Sequence, residues 1–324
     1  MNELLLRLDE AREQWGQNVV IPASAAIRDY FEGPDAPRST YDQRWYYPKD
    51  ANFFDPVLVS YIVVVAIVFT LLEPIIRKMM HNKVVALTKM PKGEAIRFSE
   101  SMWQFLFYLS SWLFSCYIVY DAPWFYNTYL CWEYPFPNHE VPIKVYILYV
   151  VQVGWYLHCA WCHVNHDVKK SDYWVMLTHH IAALILLYFA FITGRHRVGV
   201  LCLFTLDVCD IFLHFTKSVR FVDNTIKLPT ILTIGSYLSV VFSWIYFRLW
   251  LYVKKVLYTS SFQGMHYGGW INSDGWLFYN SLLILIYIFQ VYWFYLIILS
   301  GYKFVRYGDD LDDERDRTSK EKEK

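Results

Sequence analysis

Apolar residues in this chain fall in long blocks, not in the short alternations of a half-buried strand. Runs at about 56–76, 102–120, 142–162, 173–193, 198–216, 230–251 and 276–300 are each long enough to cross a hydrocarbon layer of about 30 Å as a helix. The pattern predicts an all-α polytopic membrane protein with seven transmembrane helices. The fifth run is the least certain as a span because it holds two aspartates, and losing it would move everything downstream to the opposite side.

The polar segments predict which way the chain is threaded. Residues 77–101, 163–172, 217–229 and the tail from 303 carry 18 Lys and Arg, whereas 120–144, 194–197 and 248–275 carry one, two and three. Positive charge collects on the cytosolic side. The amino terminus is therefore expected in the lumen and the carboxyl terminus in the cytosol, as an odd number of spans requires.

Residues 1–55 read as a polar lumenal arm. Leu4, Leu5, Leu6, Leu8 and Trp15 offer one face of a short interfacial helix before Gly33 to Arg38 breaks the periodicity. This stretch lacks the charged start, short apolar core and cleavage site of a signal peptide, so the helix at 56–76 is expected to act as the retained targeting signal. Residues 306–324 form a charged cytosolic tail with too little apolar content to fold. In it Lys320 and Lys322 match a dilysine retrieval address.

Composition narrows the function. The 324 residues are 56% hydrophobic and 20% aromatic, and 30 basic residues balance 30 acidic ones, so no global field draws the chain to nucleic acid. Six cysteines lie mostly in or beside apolar runs, where thiols pack as small hydrophobes and no disulfide framework is expected. The aromatic stretch 120–136 reads as a lumenal interface belt. No phosphate-cradling glycine loop or nucleophile elbow is present.

The candidate chemistry sits in 171–220. The fourth run carries His179 and His180, and the fifth carries Asp207, Asp210 and His214. An ionisable group at bilayer depth costs roughly 2.5–3.5 kcal/mol on insertion scales, so five of them call for a job. Asp207, Asp210 and His214 share one helical face, with Lys217 a turn further. His179 and His180 stand about 100° apart around their helix, so they are expected to point differently. A loop of about four residues makes the two helices antiparallel neighbours, bringing an imidazole against Asp207 or Asp210. A polar seam between helices is the non-catalytic account of the same residues.

These residues also carry a resemblance. Lys169-Lys170-Ser171-Asp172-Tyr173-Trp174, Met176, His179-His180, Arg197-Val198-Gly199, Asp207-Val208-Cys209-Asp210, Phe212-Leu213 and Lys217 resemble the longevity-assurance motif of ceramide synthases, membrane enzymes of the TLC-domain superfamily. Residues 97–103 look like the segment opening that domain, Tyr156 with His158 fits its third-span pattern, and the resemblance covers about 94–305. Leu206 before the first aspartate, His214 in a place often filled by glutamate, the shortened Trp132-Glu133-Tyr134-Pro135 element and the lack of a homeodomain-like insertion resemble a fungal-type member.

The resemblance implies a bundle of six helices around a central lipid-accessible cavity in the endoplasmic-reticulum membrane. It implies N-acylation of a sphingoid long-chain base by a fatty acyl-CoA, the cosubstrate, with no further cofactor. His179, His180, Asp207 and Asp210 are the expected catalytic groups. Lys169, Lys170, Trp174, His214, Lys217 and Arg220 are the expected substrate contacts, the cations meeting CoA phosphates. Partners are the two substrates, membrane lipids, and a second copy in a homodimer or a small accessory subunit. By the same resemblance the loop near 252–275 is a selectivity element for acyl length.

A base must take a proton from the substrate ammonium before the amine can attack, which suits imidazole. A histidine attacking the thioester to form an acyl-imidazole uses the same residues differently, and the sequence leaves both routes open. A non-enzymatic TLC-domain protein that binds or organises lipids, or assists insertion, is the alternative. A proton-coupled transporter is a weaker one, lacking repeat halves. His158-Cys159-Ala160-Trp161-Cys162-His163 with His166-Asp167 reads as a polar helix terminus, not a metal site, because its donors lie along a single span.

Overall fold

The computed structural model describes residues 55–133, 136, 139–166, 172–265 and 274–307. The amino-terminal arm, the charged tail with its lysine pair, Lys169, Lys170, His166's side chain, Tyr134-Pro135 and the centre of the last loop lie outside the described residues. Within them the protein is helical, with no strand.

Seven helices are long and apolar enough to span a membrane. They are α1 (Pro56–Thr88), α2 (Lys92–Val119), α3 (Ile143–His166), α4 (Tyr173–Ile192), α5 (His196–Ile226), α6 (Thr230–Gln263) and α7 (Asp274–Tyr307). Each matches one apolar run, but most overshoot it. The helix α1 continues a dozen residues past position 76, to Thr88, and α5 runs on to Ile226. Hydropathy measures the depth of apolar solvent, whereas a helix continues until its backbone is capped or broken. Helix α1 shows both limits. Asp55 Oδ1 accepts from the N–H groups of Val57 (2.9 Å) and Leu58 (3.1 Å), and Pro56 follows at the first helical position. At the other end Lys89 turns into the left-handed region (φ 56°) and donates its N–H to the Val85 carbonyl.

Helix α5 is the central post. Most of its apolar stretch is buried, and α2 packs along it, with α6 also beside it. The chain therefore turns its most costly helix, the one with two aspartates, away from lipid. Helix α1 does the opposite. It leans on α3 and α2 and leaves Val57, Val64, Ile67 and Leu71 exposed, as a lipid-facing helix must. Close backbone approach requires Gly154, where an added Cβ would come within 2.6 Å of Val65 Cγ1.

Helix α6 widens at Trp244. Residues Trp244–Leu251, Val253–Leu257 and Thr259–Gln263 follow π-type winding, a geometry that re-aims side chains and recurs at functional sites. The link between α2 and α3 folds against this half of α6 as two short turns, Pro123–Tyr126 and Thr128–Cys131. Thr128 Oγ1 donates to Gln263 Oε1 (2.7 Å), and Trp132 Nε1 donates to the Thr259 carbonyl (3.0 Å). The expected aromatic belt is thus divided. Tyr120 and Tyr126 are exposed, whereas Trp132 is a buried plug in the core. Nearby, Lys144 Nζ lies 2.8 Å from Asp121 Oδ1 and holds that carboxyl below its usual range. No disulfide joins the six cysteines.

Candidate active site

A cavity of about 500 Å³ runs through the bundle, and residues from all seven helices line it. Helix α1, outside the expected six-helix bundle, takes part through Glu73. The cavity is mixed in character: an inner stretch of imidazoles and aromatic rings, and an end rich in charge.

His179 and His180 both border the inner stretch, although adjacent positions on a helix point about 100° apart. The cavity is wide enough to meet both. His179 lies edge-on to Trp293, with ring centroids 5.1 Å apart, while His180 lies 5.7 Å from His163. Tyr156 stands 6.3 Å from each imidazole. The ring of His163 stacks on Tyr173 at 4.6 Å, and its Nε2 lies 3.0 Å from the Tyr173 carbonyl, so α3 buttresses the start of α4 behind the histidine pair.

The two aspartates have separate environments. Asp210 lines the cavity and is ion-paired with Arg248 of α6. Arg248 also donates from Nε and Nη2 to the Leu206 carbonyl (3.2 and 2.9 Å) and from Nη1 to Gln290 Oε1 (2.9 Å), with its guanidinium over the Trp244 ring. Asp207 is fully buried and does not line the cavity. Its Oδ2 accepts from Ser111 Oγ of α2 (3.1 Å) and Gln152 Nε2 of α3 (2.5 Å). Of the two carboxylates, either of which was expected to meet an imidazole, Asp210 is the one on the cavity with the histidine pair, and Asp207 bonds α2 and α3. A three-residue step on a helix that is surrounded on every side sends the two carboxylates to different neighbours.

The expected substrate contacts also divide. His214, Lys217 and Arg220 line the cavity, with the His214 ring stacked on Tyr108 at 5.8 Å. Because α5 extends to Ile226, Lys217 and Arg220 stand inside the bundle and not at its end. Arg97 of α2 joins them at the charged end, where Thr225 Oγ1 donates to Glu94 Oε2 (3.4 Å) and ties the start of α2 to the end of α5. From Asp210 to Arg220 the helix rises about 15 Å. Trp174, by contrast, is 75% exposed on the outer face of α4 and does not line the cavity. The structure thus leaves Trp174 outside the group of expected contacts that the cavity brings together.

Arg248, Gln290, Gln152, Ser111 and Tyr108 were not among the residues singled out from the sequence. Arg248 had a readable signal, being the one charge inside an otherwise apolar run, and the desolvation argument that flagged the aspartates applies equally to it. It had been counted with the positive charges of the 248–275 loop. In the fold it is 5% exposed within the bundle. The amide, hydroxyl and phenol carried no such signal, since neutral polar residues are ordinary in membrane helices.

Chemically the arrangement offers two imidazoles, a carboxylate whose charge is balanced by a buried guanidinium, and a cationic end reached along the same cavity. These are groups that can move a proton and bind an anion inside an apolar shell.

Residues 97–299 match the family model described as TLC domain. The chain is 33% identical over 219 residues to human ceramide synthase 1, covering 65% of this chain and 61% of that protein. It is 30% identical over 214 residues to human ceramide synthase 4, covering 65% and 52% respectively. With ceramide synthase LOH2 of Arabidopsis thaliana it shares 24% over 209 residues, covering 64% and 69%. The matched part of the chain thus spans about three-fifths of the first of these relatives and about half of the second.

Proposed function

The chain belongs to the TLC-domain family, and from that membership we propose that it is a ceramide synthase, transferring a fatty acyl chain from acyl-CoA to the amine of a sphingoid long-chain base. The products are a ceramide and free CoA. The observation that carries this reading is the joint placement of His179, His180 and Asp210 on one cavity whose far end bears Arg97, Lys217 and Arg220. Relatives named ceramide synthase in human and plant support the same reading.

In this mechanism one imidazole of the pair removes a proton from the substrate ammonium. That proton is released to solvent. The freed amine attacks the thioester carbonyl, the same imidazole takes the second N–H proton as the C–N bond forms, and it hands that proton to the thiolate as the C–S bond breaks. Asp210, held by Arg248, favours the imidazolium that forms in between. Asp207 acts as a positioning group, pinning α2 and α3 to α5 through Ser111 and Gln152. The phosphates of CoA meet Lys217 and Arg220 on the cytosolic side. The protein resides in the endoplasmic-reticulum membrane with its amino terminus in the lumen.

Purified protein given labelled acyl-CoA and a sphingoid base tests the proposal. The wild type should yield ceramide, while His179→Ala, His180→Ala and Asp210→Asn should each lose most of it. Full product formation by a variant lacking both imidazoles would refute the reading. Saturable lipid binding without product would favour the non-enzymatic alternative. Quenching after acyl-CoA alone separates the two chemical routes: an acyl adduct on the peptide holding His179 and His180 marks the covalent one.

A further inference from the structure

Away from the histidine pair, three donor atoms from two helices converge on the cavity wall: Glu73 Oε2 of α1, and His158 Nε2 and Cys162 Sγ of α3. His158 and Cys162 are four residues apart and so share a face of α3, the face on which α1 packs. The separations are 3.4 Å from Sγ to Oε2, 3.5 Å from Nε2 to Oε2 and 3.9 Å from Nε2 to Sγ. A tetrahedral zinc ion with donors at about 2.0–2.3 Å holds its ligand atoms roughly 3.3–3.6 Å apart. The three separations are close to the edges of one face of that tetrahedron, and because Sγ also lies 3.7 Å from His158 Nδ1 the imidazole must tilt to aim Nε2 at the ion.

Neighbouring groups aim two of these donors. Arg77 Nη1 donates to Glu73 Oε1 (2.9 Å), leaving Oε2 turned to the cluster. The Thr70 hydroxyl gives its proton to the Ala66 carbonyl (2.8 Å), so toward His158 Nδ1 (3.0 Å) it can only accept. With Nδ1 as the donor in that contact, Nε2 is the nitrogen left to ligate. A proton or a metal ion between Nε2 and Oε2 satisfies both atoms, and His158 is only 2% exposed. A second shell that fixes the tautomer of a ligating histidine and engages the other oxygen of a ligating carboxylate is the usual support of a metal site.

We propose that Glu73, His158 and Cys162 bind a divalent ion of the zinc class. One thiolate, one imidazole and one carboxylate suit that ion. All three residues line the cavity, so the fourth position is open to it, and the cavity is the entry path. Glu73 lies outside residues 97–299, the part that matches the TLC model. The ion clamps α1 to the family domain. The sequence reading missed the site because it sought every donor within 158–167, while the third comes from another helix.

The test uses the full chain, purified without a histidine tag, with metal measured by elemental mass spectrometry. About one zinc per chain is expected, lost in Cys162→Ser and His158→Gln. Replacement by cobalt should give a thiolate-to-metal charge-transfer band that is absent in Cys162→Ser. Chelation should lower the Tm of wild type but not that of Cys162→Ser. Should the ligand variants fail to fold, Thr70→Val keeps all three ligands, removes only the hydroxyl at His158 Nδ1, and should weaken metal affinity roughly 10–100-fold. Wild-type protein with no more divalent metal than Cys162→Ser, and no rise in Tm on adding zinc, would overturn the proposal and leave a proton in the ion's place.

Discussion

Replacing Arg248 with methionine removes the centre of the polar group around Asp210 while keeping much of the side-chain volume. Four hydrogen bonds and a stacking contact with Trp244 go with it. The larger effect is on Asp210, whose side chain is only 17% exposed and which loses its guanidinium counter-ion. Breaking a buried pair from one side costs about 3–5 kcal/mol, far more than removing both partners, which is often close to neutral. At roughly 2–4 °C per kcal/mol for chains of a couple of hundred residues, Arg248→Met should lower Tm by about 10 °C. Arg248→Met with Asp210→Leu should recover most of that loss. Unfolding followed by the fluorescence of the 14 tryptophans in detergent measures both variants. The double variant also separates stability from chemistry, since it should be folded but make no ceramide. The reasoning fails if Arg248→Met unfolds at the wild-type temperature, or if the double variant is as unstable as the single one.

Three further outcomes follow from the geometry. Gly199→Ala would drive a Cβ into the hydroxyl of Tyr149, which donates to the His196 carbonyl at 2.9 Å; overpacking together with a lost hydrogen bond should cost about 2–4 kcal/mol, read as a lower Tm. His139, outside the spans, is pushed down to about 4 by burial and then by nearby Arg197. Its neutral form is favoured in the folded state, so the stability it contributes is complete above its unfolded value of about 6.5 and is lost as pH falls toward 4. Comparing Tm at pH 7 and pH 5 for wild type and His139→Gln should show the steeper acid loss in wild type, and parallel profiles would contradict this. Trp174→Ala should leave the apparent KM for acyl-CoA unchanged, whereas Arg220→Glu should raise it several-fold in correctly inserted protein.

Much of the site could be read from the chain because burying charge is expensive wherever it happens. That cost picked out His179, His180, Asp210 and His214, and the resemblance added Lys217 and Arg220; all six border the cavity. It also flagged Asp207, but not where Asp207 would turn. Helical periodicity gives a residue's angle around its own axis and leaves open which neighbour stands at that angle. Ser111 and Gln152, neutral residues on α2 and α3, claimed that carboxylate. Trp174 lies off the cavity for the same reason, since proximity in sequence to the histidine pair did not decide which face of α4 it occupies.

The sequence by itself determined seven spanning helices, their order, and which of them had to carry buried charge, because the hydrocarbon layer imposes length and polarity on each segment separately. Only the tertiary structure decided that Arg248 pairs with Asp210, that α1 reaches the cavity through Glu73, and that Glu73 meets His158 and Cys162. Those are contacts between segments far apart in the chain, set by how seven side-chain surfaces interlock, and no single segment's pattern contains them.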